Sequence, residues 1–324
     1  MAHNHAHDHD HDHHHTHDKH NHSHAGHGHG HSHAPTNFNR AFAIATLLNF
    51  AFVVIEAVYA VLANSMSLLA DAGHNLADVL GLLMAWGASW LLKREASEKY
   101  SYGYKKTTIL SALANALLLV ATSAIIVYES INKLIYPVEI NEMIVIVVAF
   151  IGIIINGGTA LLFMRGSEED LNIKGAYLHL AYDALISIGV VIAGALVLWT
   201  KWIWLDPIVG IVIVAVILTG TWGLLRHSVE LILGAVPHGI DLNGVRTYLS
   251  SIRGVEAVHD LHIWGLSTQE TALTVHLVLP ERVLSDADYA EITHILHHDY
   301  KIQHVTIQAE KGQADSLCSL VDTC

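Results

Sequence analysis

Six long apolar segments occupy the chain up to Leu225, and each is near or above the ~20 residues that a helix needs to cross ~30 Å of hydrocarbon. They cover roughly Ala41–Ala63, Met66–Leu92, Ile109–Ile131, Met143–Met164, Ala176–Thr200 and Trp202–Leu225. Helices satisfy the backbone groups of such segments where water is absent, and the alternating pattern of a membrane barrel is missing. The pattern therefore predicts an all-α membrane domain, a six-helix bundle, over residues 39–225.

The pattern changes after Leu225, where shorter segments alternate between two periodicities. The stretches "DLNGVRTYLSSI" and "DADYAEITHILHHDY" have helical spacing, whereas "AVHDLHIWGL", "TALTVHLVLP" and "HVTIQAE" resemble strands. Their order, αββαβ, predicts a small cytoplasmic α+β domain over residues 226–311, with two helices on one face of a three-stranded sheet. A core of that size favours support by dimerisation, and residues 312–324 are expected to form a C-terminal tail.

Composition and charge place both ends of the chain on one side of a membrane. The chain is 52% hydrophobic and only 15% charged, which is too apolar for a soluble protein of 324 residues. Lys and Arg collect in alternate loops, as at Lys93 and Arg94, while the opposite loops hold little beyond Lys133 and Lys201. Because cytoplasmic loops hold the excess of basic residues, both termini are expected to be cytoplasmic.

The first 38 residues differ from the rest of the chain. Met1–His33 holds 16 of the 27 histidines, interleaved with Asp and Gly, in a chain of formal net charge −13. Without apolar residues to bury, such a segment is expected to be a disordered cytoplasmic tail that binds transition metals loosely. An affinity tag is the alternative, although Asp, Asn and Ser interrupt the histidines.

Two histidines lie deep in the predicted spans, and each begins the pattern His-x-x-x-Asp. His74 and Asp78 lie in span two, and His179 and Asp183 lie in span five. Residues four apart share one face of a helix, so each pair presents an imidazole and a carboxylate in one direction. Two nitrogens and two oxygens suit tetrahedral zinc, and the cation would compensate two aspartates inside a membrane. The alternative is that each pair only forms hydrogen bonds within or between helices.

The sequence leaves open the roles of other polar residues in the spans. Asp71 is near the face of His74 and Asp78, where it is either a third carboxylate or, as we favour, a hydrogen-bonding group in helix packing. Glu56 and Asn156 either handle protons or gating, or form interhelical hydrogen bonds.

The cytoplasmic domain contains a second group of candidate ligands. Individually each is more typical of a surface residue, but neighbouring strands would bring several of them into one metal site. They are His259, His262, His276, His304 and Glu310.

Several motifs resemble the cation diffusion facilitator family, specifically its zinc-transporting branch, which includes bacterial cobalt–zinc–cadmium resistance proteins and animal zinc transporters. The resemblance covers about Asn39 to Glu310. The motifs are "NSMSLLADAGHNLAD", "YSYGYKKTTILSALAN", "LNIKGAYLHLAYDALISIGVVIAG", "LDPIVGIVI" and "VHDLHIWGL".

That resemblance implies a homodimer in which each protomer has a transport site and a metallochaperone-like cytoplasmic domain. The implied transport ligands are His74, Asp78, His179 and Asp183. The implied cytoplasmic zinc ligands, at the dimer interface, are His259, His276 and Glu310, with His304 as a further candidate.

Two positions depart from the family pattern. Thr108 stands where the family often has Glu, so no metal or proton role for an acid is carried over to it. Gln308 stands where some bacterial relatives have a metal-binding His, so a two-zinc cytoplasmic site is expected to be reduced.

These observations together predict zinc efflux by Zn²⁺/H⁺ antiport through alternating access, in a bacterial inner membrane. No enzymatic activity and no nucleic-acid partner are expected. The alternative is a membrane-anchored metal sensor, in which the ligand pairs of the spans would be dispensable. A membrane zinc hydrolase would need three ligands and an open water position, and would leave the repeated His-x-x-x-Asp pattern unexplained.

Overall fold

The structure is a computed structural model that describes residues 40–164 and 171–312. The predicted His-rich tail, Cys318 and Cys324 of the C-terminal tail, and part of the loop after the fourth span lie outside the described residues. The elements of the described part are α1 (Arg40–Leu62), α2 (Met66–Leu92), α3 (Thr107–Ile135), α4 (Glu142–Met164), α5 (Leu171–Thr200), α6 (Leu205–Ile232), α7 (Leu242–Ser251), β1 (Ala257–Gly265), β2 (Thr271–Val278), α8 (Asp286–His298) and β3 (His304–Glu310).

The helical membrane domain is confirmed. Among the described residues, α2 to α6 contain five stretches long and apolar enough to cross a membrane, and α1 contributes the shorter apolar stretch Phe50–Leu62. Large apolar side chains such as Leu82, Trp86 and Leu162 point outward and are exposed. A surface of this kind is stable against lipid rather than water, so the chain is a multi-pass membrane protein.

The sixth helix is longer than the sequence pattern indicated. It continues past Leu225 to Ile232, so Arg226 lies in the helix and not at the start of the cytoplasmic domain. Arg226 Nε donates to Glu230 Oε1 at 2.8 Å, an i,i+4 pair that stabilises this polar end. Gly234, with φ of 79°, follows the helix and supplies the left-handed conformation that commonly ends one.

A buried carboxylate joins the start of α2 to the start of α6. Asp206 accepts hydrogen bonds from Ser65 Oγ at 2.6 Å and from the backbone nitrogen of Ser67 at 3.3 Å. It also accepts from the backbone nitrogen of Met66. The helices approach closely here, because a Cβ on Gly210 would lie 2.9 Å from the carbonyl oxygen of Met66.

The cytoplasmic domain has the predicted αββαβ order. Its sheet runs β1-β2-β3, with β1 antiparallel and β3 parallel to β2. Leu273, Val275 and Leu277 alternate along β2 and pack with Leu249 of α7 and Leu296 of α8 in one core. The intervening residues of β2 therefore face away from the helices.

We predict that Asp206→Ala weakens the membrane domain, because it leaves the buried donors of Ser65, Met66 and Ser67 without their acceptor. Each lost partner costs about 1–3 kcal/mol, so the apparent Tm in detergent should fall by about 5 °C or more. Thermal unfolding followed by size-exclusion chromatography measures this. Glu142→Ala is the matched control, since Glu142 bonds only the exposed Lys201 among the described residues; an equal loss in both variants would contradict the prediction.

Candidate metal sites

The two His-x-x-x-Asp pairs meet between α2 and α5. His74 Nε2 lies 3.4 Å from Asp78 Oδ2 and 3.9 Å from Asp183 Oδ1. His179 Nε2 lies 3.4 Å from the same Asp78 oxygen and 3.5 Å from Asp183 Oδ2. The four side chains thus form a closed ring in which nitrogen and oxygen atoms alternate.

The spacing of this ring matches a metal site better than a set of hydrogen bonds. A good N–H···O bond measures about 2.7–3.2 Å, and all four separations exceed that range. Ligands at ~2.0–2.2 Å from a tetrahedral zinc lie about 3.3–3.6 Å from each other. Three of the observed separations fall in that range, and the fourth, from His74 Nε2 to Asp183 Oδ1, is longer at 3.9 Å. Asp183 Oδ1 and His74 Nδ1 are buried without a hydrogen-bond partner in the described residues.

The ring is open on one flank. The side chain of His179 is 47% exposed, whereas that of Asp183 is 3% exposed. His179 is therefore the more accessible side chain of the ring, and Asp183 is the more enclosed one.

A separate network of polar side chains, Glu56, Asp71, Asn75 and Ser187, lies in the spans beside the ring. Asp71 Oδ2 accepts from Ser187 Oγ of α5 at 2.9 Å, and Asn75 Nδ2 lies 3.4 Å from carboxylate oxygens of both Asp71 and Glu56. Asp71 thus bonds across helices, as expected for a packing residue. Glu56 Oε1 and both side-chain atoms of Asn156 are buried without a hydrogen-bond partner in the described residues.

The second cluster lies on the sheet face opposite the helices. His259 is paired with His276 across β1 and β2, and His276 with Gln308 across β2 and β3, so these side chains share one face. Glu310 follows two residues after Gln308, on the same face.

Glu310 lies between the two histidines of this cluster. Its Oε2 is 3.0 Å from His259 Nε2, and its Oε1 is 2.9 Å from His276 Nδ1. The latter contact lacks hydrogen-bond geometry, since His276 Nδ1 has no hydrogen-bond partner among the described residues. Two imidazoles and a carboxylate converge here, which suits zinc with one position left for a further ligand.

A β-bulge adds a carboxylate that the sequence pattern does not indicate as a ligand. The register of β1 shifts between His259 and His262, and Asp260 adopts a φ of 51°. Asp tolerates this left-handed conformation better than most residues. The bulge brings Asp260 Oδ2 to 3.4 Å from His276 Nε2 and Oδ1 to 2.8 Å from His262 Nε2.

His304 is not brought to the cytoplasmic cluster. It begins β3, whereas Glu310 ends it, so the two lie at opposite ends of the strand. His304 Nε2 is 2.9 Å from Lys105 Nζ, and Lys105 also pairs with Glu270. His304 therefore belongs to the contact between the two domains.

Thr108 takes part in that same contact. Its hydroxyl accepts from the backbone nitrogen of Thr268 at 3.1 Å. Lys105, just before α3, and Thr108, in its first turn, are thus joined to the turn between β1 and β2 by charged and neutral bonds.

Comparisons with known proteins agree with this arrangement. The cation efflux transmembrane domain family matches residues 42–233, and the cation efflux protein cytoplasmic domain family matches residues 237–312.

Similar proteins include transporters from several bacteria. The metal cation efflux system protein CzcD of Cupriavidus metallidurans is 37% identical over 286 residues, which is 87% of this chain and 90% of that protein. A cadmium, cobalt and zinc/H(+)-K(+) antiporter of Bacillus subtilis is 33% identical over 80% of this chain and 85% of its own length. The zinc transporter ZitB of Yersinia pestis is 34% identical over 83% of this chain and 86% of its own length.

A solved structure is also similar to part of the chain. It is the metal-bound C-terminal domain of the CzcD transporter from Cupriavidus metallidurans, 38% identical, which covers 22% of this chain and 99% of that chain with a TM-score of 0.21.

Proposed function

The chain belongs to the cation efflux (cation diffusion facilitator) family of metal-cation transporters, and from that premise we propose that it exports Zn²⁺ from the cytoplasm in exchange for protons. The observation that carries the proposal is the ring of His74, Asp78, His179 and Asp183 between two membrane helices. Several relatives are named for zinc, and two of them for antiport with H(+) and K(+).

The ring has the chemistry for both ions. Metal binding requires neutral imidazoles and ionised carboxylates, so zinc expels protons when it binds. An imidazole has an ordinary pKa of about 6.5 and takes up a proton readily when the metal leaves. Two aspartates left without any cation would be costly in the membrane, so the site alternates between zinc and protons.

Transport further requires that the ring open to each side in turn. Its ligands come from two helices in pairs, so a small movement of α2 against α5 separates the pairs without unfolding either helix. Alternating access of this kind exposes one site first to the cytoplasm and then to the outside.

The proposed orientation follows from the basic residues and the position of the cytoplasmic domain. Lys133 and Lys201 bond Asn64 and Glu142, at the end of the bundle away from the domain contact of Lys105. With the positive-inside rule, this assigns Lys105, the cytoplasmic domain and both termini to the cytoplasmic side.

For the cytoplasmic domain we propose zinc binding by His259, His276 and Glu310, with the fourth position available to a second copy of the chain. Asp260 is not one of these ligands; its carboxylate lies 3.4 Å from His276 Nε2 and interacts with that imidazole. His304 is assigned to domain contact instead, and the loose capture of metal by the N-terminal tail stays a prediction.

Removal of a carboxylate from the ring should abolish transport. We expect Asp183→Asn to reduce proton-coupled zinc flux in liposomes by at least ~100-fold, because the site loses a ligand and half of its negative charge. Asp71→Asn is the matched variant: Asn still accepts from Ser187, and flux should stay within about threefold of the parent. Normal flux in correctly inserted Asp183→Asn would favour the membrane-anchored sensor instead.

The composition of the ring should set selectivity. His74→Asp exchanges a borderline nitrogen for a hard anionic oxygen, giving one imidazole and three carboxylates, a set that suits Mn²⁺ or Cd²⁺ better than the parent set does. We expect it to lose discrimination between zinc and these ions before it loses transport. Competition flux with equal concentrations of two metals measures this. His179→Asp builds the same ligand set from α5 and should show the same change; the parent's metal ranking at the parent's rate in both variants would refute the proposal.

The cytoplasmic cluster should bind zinc through His276. The core of this domain is formed by residues of the domain itself, so residues 234–312 are suitable for calorimetry in isolation. His276→Ala should weaken zinc binding by at least ~100-fold, as loss of a ligand does. His294→Ala, on the exposed face of α8, is the control and should change affinity by less than about twofold; equal affinity in both variants would exclude His276 as a ligand.

A further inference from the structure

A third group of metal-binding side chains lies where α6 meets the cytoplasmic domain. His227 and Glu230 belong to the last turns of α6, and His238 lies in the linker between Ile232 and α7. One ligand atom from each of the three lies within 4.8 Å of the others. None of these residues contributes to the ring of the spans or to the cluster on the sheet.

The contacts within this group leave imidazole nitrogens available to bind a metal. His238 Nε2 is 2.8 Å from Glu230 Oε2, and the rings of His227 and His238 meet edge to face with centroids 4.4 Å apart. His227 Nδ1 is buried and has no hydrogen-bond partner in the part of the chain that the structure describes. A buried polar atom without a partner is costly, and a cation shared with the neighbouring donors would satisfy the imidazole.

The linker is folded so that His238 returns to the helix. Gly239 has a φ of 88°, a conformation that glycine adopts without strain, and Ile240 N bonds Pro237 O at 3.2 Å. Gly265, at the end of β1, makes room for this return: an added Cβ would lie 2.9 Å from Leu231 Cδ2 and 3.9 Å from Pro237 Cγ.

The donor set identifies the class of ion. Two imidazole nitrogens and one carboxylate oxygen suit zinc and similar transition metals, whereas Mg²⁺ prefers oxygen ligands and keeps its water. The side chain of His238 is 67% exposed, so a cation and a water ligand have access. Arg226, bonded to Glu230 Oε1, neutralises the carboxylate in the empty state and opposes a bound cation.

We propose that His227, Glu230 and His238 form a third metal site, for a divalent transition-metal cation of the zinc class, that fastens the interdomain linker to the end of α6. Metal at this site joins a membrane helix directly to the segment that leads into the cytoplasmic domain. The competing explanation is an ion pair between Glu230 and a protonated His238, which needs no metal.

Residue-resolved footprinting of the full-length protein distinguishes the two explanations. The chain is stripped of metal in detergent, titrated with zinc, and modified with diethyl pyrocarbonate, and the modification of each histidine is read by mass spectrometry. We expect zinc to reduce modification of His238 by at least tenfold, and Mg²⁺ at the same concentration to leave it unchanged. His298 is an internal control, because it is equally exposed. Its neighbours are the carboxylate of Asp299 at 2.6 Å and the ring of His294, stacked with centroids 5.9 Å apart; these exposed side chains hold zinc weakly, so His298 should stay modified at zinc concentrations that protect His238.

Two variants shift the titration in opposite directions. Glu230→Gln removes the anionic ligand and should raise the zinc concentration for half-protection of His238 at least tenfold. Arg226→Gln removes the opposing cation and should lower that concentration. If His238 and His298 are protected together, or if Glu230→Gln leaves the half-protection concentration unchanged, the site does not exist.

Discussion

The arrangement of the membrane domain depends on the cost of placing carboxylates in a medium of low polarity. Asp78 and Asp183 are tolerated because two imidazoles from α2 and α5 stand between them, at distances that a single cation can bridge. Asp71 and Asp206 meet the same constraint differently, by accepting hydrogen bonds from neighbouring helices. In the proposed mechanism the first arrangement leaves charge for a mobile ion to compensate, and that difference separates the candidate transport site from a packing contact.

The cytoplasmic domain places its metal donors by sheet geometry. Antiparallel and parallel pairing put His259, His276 and Glu310 on the face that the helices leave free, and the hydrophobic residues of β2 secure the register, because a slip by one residue would move them into solvent. The core residues and the proposed zinc ligands therefore lie on opposite faces of the same strands. The bulge at Asp260 adds a second carboxylate without disturbing the core.

Two connections link the domains, and they differ in kind. Lys105 with Glu270, and Thr108 with Thr268, join the start of α3 and the residues just before it to the turn between β1 and β2. The second connection is the covalent linker after α6, which returns to the helix end at His238. The first rests on direct polar contacts. The second brings together three side chains that suit a cation of the zinc class, so the rigidity of the linker depends on whether they bind one.

The sequence by itself determined what is local. The membrane helices, the αββαβ order and the faces of the two His-x-x-x-Asp pairs follow from hydrophobic length and periodicity, which depend only on neighbours along the chain. The helix α6 continues past the predicted end at Leu225, because Arg226, His227 and Glu230 interrupt the apolar run while the helix itself extends to Ile232. Tertiary structure decided which elements meet: that α2 faces α5, that His304 contacts Lys105 instead of Glu310, and that Asp260 and His238 join clusters through a bulge and a turn. Such contacts depend on register and chain reversal, which no single segment encodes.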